Sequence, residues 1–337
     1  MTSNLALVTI HQLVRDTFRQ SRAQGVFWLL LGISAVCILL CASVNIEGAQ
    51  QLATPGENPD FLPRNDPRAG DRETLERDGV VVVGGELTLG FGAVRVPLAR
   101  DAGNAVHALQ LALAAGVADT LGVLLALVWT AGFLPGFLDR QSISVLLAKP
   151  APRWALLLGK YAGVLAFVLL QGAIFVGGTW LALGARTGIW DFAYLKSAPL
   201  LLLHFGIFFS VSLLLAVCTR STVASVFGSI AFWLLCWGMN FGRHALVADV
   251  AAGSGAQFGQ PLLGIVEFGY WFLPKPADLG MLVRDALGAQ NFYGQPAVFE
   301  AVQAHGLFHP VMSVAASLAF MVLIFWAAVR QFAATDY

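Results

Sequence analysis

Histidines are the residues of this sequence best able to do chemistry, yet their spacing predicts neither a metal site nor a catalytic centre. They are His11, His107, His204, His244, His305 and His309. His305 and His309 stand four residues apart, but Pro310 follows directly and no acidic residue stands at a ligand spacing beside them. The sequence contains no His-Glu-x-x-His motif and no Gly-x-Ser-x-Gly elbow. We therefore predict no catalytic residue, no metal and no cofactor for this chain.

A phosphate-binding loop would need the pattern Gly-x-x-x-x-Gly-Lys-Ser/Thr, in which the hydroxyl binds magnesium. The sequence has one Gly-Lys pair, Gly159-Lys160, and Tyr161 follows it where the hydroxyl of serine or threonine should stand. If ATP drives this protein, another polypeptide must bind the nucleotide.

Asp119 is the one acidic residue inside a predicted transmembrane segment, and such residues are candidate functional sites. It stands 18 residues before Phe137, about 27 Å at 1.5 Å per residue, close to the edge of a ~30 Å hydrocarbon core. We expect a hydrated carboxylate at the membrane interface; the alternative, a proton-coupling site, would place the acid near the midplane. For His204, Gln171 and Asn240 we expect hydrogen bonds between helices.

The elements that carry these residues are predicted to be transmembrane helices. The chain is 57% hydrophobic and 12% charged, where soluble domains carry about 25% charged residues, and its mean hydropathy is +0.72. About 20 apolar residues are needed to cross a bilayer. Six segments qualify: 26–44, 109–137, 155–183, 199–218, 221–240 and 309–329. The sequence therefore predicts an all-α polytopic membrane protein with six transmembrane helices.

Lysine and arginine residues predict its orientation, because cytoplasmic connections are enriched in them. Such residues near the predicted spans include Arg15, Arg19, Arg22, Arg140, Lys149, Arg153, Lys160, Arg220 and Arg330. They place both termini in the cytoplasm and residues 138–154 in a cytoplasmic connection within the four-helix unit 109–240. The long connections 45–108 and 241–308 fall outside and are net acidic, with ten acids against six bases and five against three. We expect the chain in the cell inner (plasma) membrane, and zero net charge gives no argument for nucleic acid.

The two ends of the chain flank the spans. Residues 1–25 are predicted to form an amphipathic helix in the interface, with apolar and basic residues on different faces. The apolar ones are Leu7, Ile10, Val14 and Phe18. The alternative is a soluble helix that docks on a partner. Residues 309–337 hold the last span and a short cytoplasmic tail.

Each external segment has its own pattern. In the first, 45–108, residues 80–83 and 86–89 are split by two glycines and predict a hairpin, with a third strand at 93–96. In the second, 241–308, the apolar run 262–273 is too short to span and predicts an interfacial or re-entrant helix. Residues 277–287 predict another short helix.

The stretch from Leu138 to Lys160 resembles the first cytoplasmic loop of ABC transporter type-2 permeases. That family has an acidic residue, Gly-Thr-Leu-Glu, a Leu-Leu pair, serine, a basic residue and proline, then arginine and Leu-x-Gly-Lys. The matching positions are Asp139, Leu146-Leu147, Lys149-Pro150, Arg153 and Leu157-Leu158-Gly159-Lys160. The departures are Gln141, Ser142, Ser144 and Ala148, which replace glycine, threonine, glutamate and serine.

The resemblance implies that this loop is a coupling helix, which docks on an ATP-binding-cassette ATPase. The residues expected to meet the ATPase are Asp139, Arg140, Ile143, Leu146, Leu147, Lys149 and Arg153. Three of them, Ile143, Leu146 and Leu147, have the 3–4 spacing of an apolar anchor, and the charged ones can pair with a soluble partner. The alternative is an ordinary basic loop on the cytoplasmic side.

The resemblance also implies a function: the permease subunit of an ATP-driven exporter, working as a homodimer or heterodimer in the lipid bilayer. Two other classes stay open. A membrane scaffold or assembly factor would use the external segments to bind another protein. An ion-coupled secondary carrier would show charged residues at the midplane and inverted repeats with broken helices, and the sequence shows neither convincingly.

Overall fold

A computed structural model describes residues 2–23, 25–47, 61–63, 81–83, 85–98, 102–138, 152–251, 260–288 and 297–335. The helices in these ranges are α1 Thr2–Ala23, α2 Val26–Ala42, α3 Ala102–Phe137, α4 Arg153–Thr187, α5 Ser197–Thr219, α6 Thr222–Ala251, α7 Gln260–Phe272, α8 Pro276–Ala286, α9 Ala297–Ala304 and α10 Pro310–Ala334. A 3-10 turn, Phe192–Lys196, leads into α5. The strands are β1 Asn45–Glu47, β2 Phe61–Pro63, β3 Val81–Val83, β4 Glu86–Leu89 and β5 Val94–Pro97.

Helices α3, α4, α5, α6 and α10 are each long and apolar enough to cross a membrane. The pair α1 and α2, which meet at 72°, makes a sixth candidate when it is counted as one bent span. Helix α2 alone has 17 residues, about 26 Å, at the short end of what a bilayer requires. The prediction of a helical multi-pass membrane protein is confirmed, with five or six spans.

Helix α5 is the centre of the bundle. Of its most apolar 18-residue stretch 72% is buried, against 22% for α6 and for α10. Consecutive residues such as Phe208 and Phe209 are both fully buried, so α5 is enclosed on all sides, as expected for a helix that is apolar all round. Helices α6 and α10 keep apolar side chains such as Phe227 and Trp326 exposed, which suits contact with lipid or another chain.

Helix α1 packs along α4 through two glycines. A Cβ at Gly159 would come within 2.8 Å of Leu13 Cδ1, and one at Gly163 within 2.7 Å of Thr17 Oγ1. The absence of side chains at these positions therefore lets the two helices approach closely. The α1 face that meets α4 contains Leu13 and Thr17, whereas Leu7, which the sequence places on the apolar face, is 65% exposed.

The connection between α2 and α3 contains two small sheets. One is antiparallel in the order β1–β4–β5, and the other pairs β2 with β3 in parallel. The predicted hairpin between residues 80–83 and 86–89 is wrong, because β4 pairs with β1 and β5 and has no free edge for β3. The hairpin instead joins β4 to β5, where Gly90, Phe91 and Gly92 have φ of 63°, 57° and 92°. Glycine makes such positive φ values accessible, and this favours the turn.

Helices α7 and α8 are joined by a short break at residues 273–275. At this break the backbone N–H of Lys275 donates to Ser317 Oγ at 3.3 Å. Ser317 stands seven residues after the start of α10, about 10 Å along the helix. The break between α7 and α8 thus lies beside the body of the last helix.

Helix α3 contains an unusual stretch, a π-helix over Ala112–Gly122. Thr120 Oγ1 donates to the carbonyl of Ala115, five residues earlier, at 3.0 Å. Stretches of π-helix are rare and frequently lie at functional sites. This one carries Asp119 on its inner side.

Candidate functional site

The predicted coupling connection leaves α3 and enters α4 between two buried anchors. Before it, Leu134 and Leu138 are buried, and after it, Leu156 and Leu157 are buried. Of the predicted coupling residues, Arg153 is described; the others lie outside the described residues, namely Asp139, Arg140, Ile143, Leu146, Leu147 and Lys149. Because both flanks are packed into the core, a force applied to this connection would reach α3 and α4 directly.

Arg153, the first residue of α4, binds the end of the last helix. Its Nη1 donates to the carbonyl oxygens of Phe332 at 3.3 Å, Ala333 at 2.9 Å and Thr335 at 3.1 Å. A helix C-terminus carries unsatisfied carbonyls and partial negative charge, and a guanidinium satisfies both. Arg153 therefore fixes the exit of the connection to α10, which is an internal role that the sequence pattern did not indicate.

Lys160 joins three elements just inside this end of the bundle. It is 4% exposed, and its Nζ donates to Gln20 Oε1 of α1 at 2.7 Å. The ammonium also lies 5.6 Å from the ring centroid of Phe133 and 6.0 Å from that of Phe137 on α3. These cation–π contacts and the hydrogen bond hold α1, α3 and α4 together around the base of the connection.

Deeper in the bundle, Asp119 forms a buried chain of hydrogen bonds with His204 and Trp233. Asp119 Oδ1 lies 2.7 Å from His204 Nδ1, and Trp233 Nε1 donates to His204 Nε2 at 3.0 Å. Because an indole can only donate, His204 Nε2 must be the acceptor and Nδ1 carries the proton that Asp119 accepts. These two hydrogen bonds join α3, α5 and α6 through a neutral imidazole of fixed tautomer.

The expectation that Asp119 is hydrated is wrong. The residue is 4% exposed, since the π-helix directs it toward α5. Helix α8 covers it from another direction: a Cβ on Gly280 would lie 3.9 Å from Asp119 Oδ2. The expected interhelical hydrogen bonding of His204 is present, and Gln171 likewise donates to the carbonyl of Phe27 at 3.4 Å.

A second buried carboxylate, Asp278 at the start of α8, gathers four side-chain donors. His244 Nε2 lies at 2.6 Å, Asn240 Nδ2 at 2.8 Å and Tyr270 Oη at 2.7 Å, and Ser313 Oγ also donates to it. Burial acts to raise the pKa of Asp278, but the hydrogen bonds from His244, Ser313 and Tyr270 outweigh it and hold the pKa below its usual value. The carboxylate therefore ties α6, α7, α8 and α10 to one another.

Cations and aromatic rings surround this carboxylate. Lys275 is 1% exposed, and its Nζ lies 4.8 Å from the ring centroid of Tyr270 and 4.9 Å from that of Trp271. Desolvation lowers the pKa of Lys275. Arg243 lies 4.3 Å from the Tyr270 centroid and pairs with Glu267 at 3.2 Å. The network stabilises the break between α7 and α8, which contains the sequence Pro274-Lys275-Pro276.

Comparison with known families decides the class of the molecule. A model described as ABC-2 family transporter protein matches residues 9–268, which is 260 of the 337 residues. The chain belongs to the ABC-2 transporter family. No curated protein matches the sequence significantly.

The matched residues include most of the features described above. They cover the predicted coupling connection, the π-helix of α3 and the whole of α4, α5 and α6. The match ends within α7. Lys275, Asp278 and all of α10 therefore lie beyond it. The resemblance seen at residues 138–160 is thereby confirmed as membership of the family.

Proposed function

We propose that this chain is the membrane-spanning permease subunit of an ATP-driven exporter. The observation that carries the proposal is the ABC-2 family match over 260 residues, which includes the connection between α3 and α4. The chain has no phosphate-binding Gly-Lys-Ser/Thr loop, so the ATPase is a separate subunit. The substrate would pass along a pathway between two such permeases in a homodimer or heterodimer.

The ATPase docks on residues 138–154. Ile143, Leu146 and Leu147 supply the apolar anchor, and Asp139, Arg140 and Lys149 supply complementary charges. The buried flanks of the connection support this role, because a displacement of the ATPase would move α3 and α4 together. Arg153 also holds the exit of the connection on α10 through its three hydrogen bonds to backbone carbonyls.

In this proposal the chain sits in the cell inner or plasma membrane with both termini in the cytoplasm. The ends of α4 and α10 that meet at Arg153 then face the ATPase. The strands β1–β5 and helices α7 and α8 lie toward the outside. The basic residues near the predicted span ends and the net acidic charge of the two long connections support this orientation.

Purification of the tagged chain from its native membranes tests the proposal. We expect a soluble chain with a phosphate-binding Gly-Lys-Ser/Thr loop to co-purify in near-equal amount. Reversing two charges, Asp139→Lys with Lys149→Glu, should release the ATPase while the permease stays in the membrane. Arg95→Glu, an exposed charge reversal on β5, is the matched control and should retain it.

Two results would contradict the proposal. The first is isolation of the intact permease with no ATPase under conditions that preserve membrane complexes. The second is an ATPase that stays bound to the Asp139→Lys, Lys149→Glu variant as tightly as to the wild type, which would place its docking surface elsewhere.

A further inference from the structure

A cavity of about 740 Å³ opens between the β4–β5 sheet and the first half of α3. The sheet contributes Leu87 and Val96 to its wall, and α3 contributes Leu109, Ala112 and Gly116. The wall from these two elements is largely apolar. A volume of this size falls within the ~300–1,000 Å³ typical of small-molecule sites.

Arg284 of α8 is the one charged residue in the described lining of this cavity. It forms no ion pair and no hydrogen bond with any residue that the structure describes. Desolvation lowers its pKa. A partly buried guanidinium that is not hydrogen-bonded to a described carboxylate can bind an anion such as phosphate, which it can hold through two parallel hydrogen bonds.

The cavity lies beside the part of α3 that precedes Asp119. In the proposed orientation this half of α3 is directed toward the outside. An apolar wall with a single cation in its described lining matches a molecule that carries an apolar chain and an anionic head.

We infer that this cavity binds an anionic amphiphile, whose phosphate or carboxylate head pairs with Arg284 while its chain lies on the apolar wall from α3 and the sheet. The site needs no ATPase to form, because all of its described residues belong to this chain. Its occupancy can therefore be measured separately from transport.

The test is a calorimetric titration of the full-length chain in phosphatidylcholine nanodiscs, with empty nanodiscs subtracted. Decyl phosphate is the probe; decyltrimethylammonium has the same chain and the opposite charge, and inorganic phosphate has the head without the chain. We expect saturable binding of decyl phosphate alone. Arg284→Gln should weaken it about tenfold or more, because hydrogen bonds to charged groups contribute about 1.5–3 kcal/mol, and tenfold corresponds to 1.4 kcal/mol.

Gly116→Leu tests the apolar wall independently of the charge. A Cβ at Gly116 meets nothing within 4 Å, so leucine fills the cavity without a clash at its Cβ, and we expect decyl phosphate to bind at least tenfold more weakly. Gly177→Leu on α4, where a Cβ also meets nothing within 4 Å, lies outside the lining and should bind as the wild type does.

Three results would overturn the inference. Equal binding of decyltrimethylammonium would remove the role of the anion, and equal binding of inorganic phosphate would remove the role of the chain. Unchanged affinity in Arg284→Gln or in Gly116→Leu would show that the probe binds elsewhere. Any of these would leave the proposed coupling to an ATPase untouched, since no ATPase is present in the titration.

Discussion

At the scale of single residues, this membrane protein holds its helices together with a few buried polar groups that are hydrogen-bonded between helices. Asp119 and Asp278 are both buried, and each accepts a hydrogen bond from a histidine on another helix. A buried carboxylate is stable only when its oxygens are satisfied, because its transfer out of water is otherwise very unfavourable. Removal of a single partner from such a group should therefore have a large effect on stability.

We expect Asp119→Ala to lower the free energy of unfolding by about 1–3 kcal/mol, because it leaves the Nδ1–H of His204 buried without an acceptor. Asp16→Ala, which removes a carboxylate that is 64% exposed, should change it by no more than about 0.5 kcal/mol. Denaturant titration of both purified variants in the same detergent measures the difference. Equal effects from the two would show that the Asp119–His204 pair does not support the fold.

The lowered pKa of Asp278 predicts that the stability of the fold depends on pH in the acid range. Its pKa is lowered in the folded protein relative to the ordinary value of 3.8, so its stabilising effect is present above that value and is lost as the pH falls through the folded pKa. We expect the unfolding temperature to fall below about pH 4, and this fall to be smaller in Asp278→Asn than in the wild type. The control Asp16→Asn should keep the wild-type acid profile. An identical profile for wild type and Asp278→Asn would contradict the assignment.

At the scale of elements, close contact between helices depends on where side chains are absent. Gly159 and Gly163 make a small-residue surface on α4 that α1 occupies, and Gly178 does the same for α2, since a Cβ there would overlap Ile38. The spacing of Gly159 and Gly163, four residues apart, is typical of a surface for close helix packing, but it does not indicate which helix packs there. The partner depends on how α1 is placed, which no local pattern encodes.

Gly163→Leu should separate α1 from α4. The new side chain would overlap Thr17 and the backbone at Val14, and overpacking of this kind destabilises by about 1–3 kcal/mol. We expect trypsin to cleave faster at Arg15 and Arg19 of the displaced helix. Gly177→Leu lies on the same helix with no atom within 4 Å of its Cβ, and its cleavage rate should equal that of the wild type. If both variants are cleaved at the same rate, Gly159 and Gly163 do not form the surface on which α1 packs.

At the scale of the whole molecule, burial is graded from the enclosed α5 to the open faces of α6 and α10. Such a gradient is expected when the open faces of α6 and α10 contact lipid or a second copy of this chain, and polar segments lie at the two ends of the bundle. The five or six spans and the family match define the class of the molecule, and the proposed orientation decides which side receives the ATPase.

Cysteine labelling tests that orientation. Cys218 at the end of α5 is exposed in the structure and belongs to the proposed cytoplasmic side. Phe91 at the tip of the β4–β5 hairpin is 85% exposed and belongs to the proposed external side. In intact cells a membrane-impermeant maleimide should label Phe91→Cys and should reach Cys218 only after permeabilisation. Labelling of Cys218 in intact cells, with protection of Phe91→Cys, would reverse the orientation.

The sequence by itself determined the membrane class, the approximate spans and the family. Hydropathy is summed over neighbouring residues, so a run such as 199–218 is visible without any fold, and α5 occupies Ser197–Thr219. The pattern at residues 138–160 is equally local, and the family match confirms the resemblance it carries.

Only the tertiary structure decided which residues meet. Asp119 and His204 stand 85 residues apart in the chain, and Arg153 meets carbonyls some 180 residues away. The strand that pairs with β4, the burial of Asp119 by the π-helix and the cavity beside Arg284 have the same origin. Each depends on how distant segments are placed relative to one another. Hydrogen bonding and close packing together select that placement, and neither interaction leaves a periodic signal in the sequence.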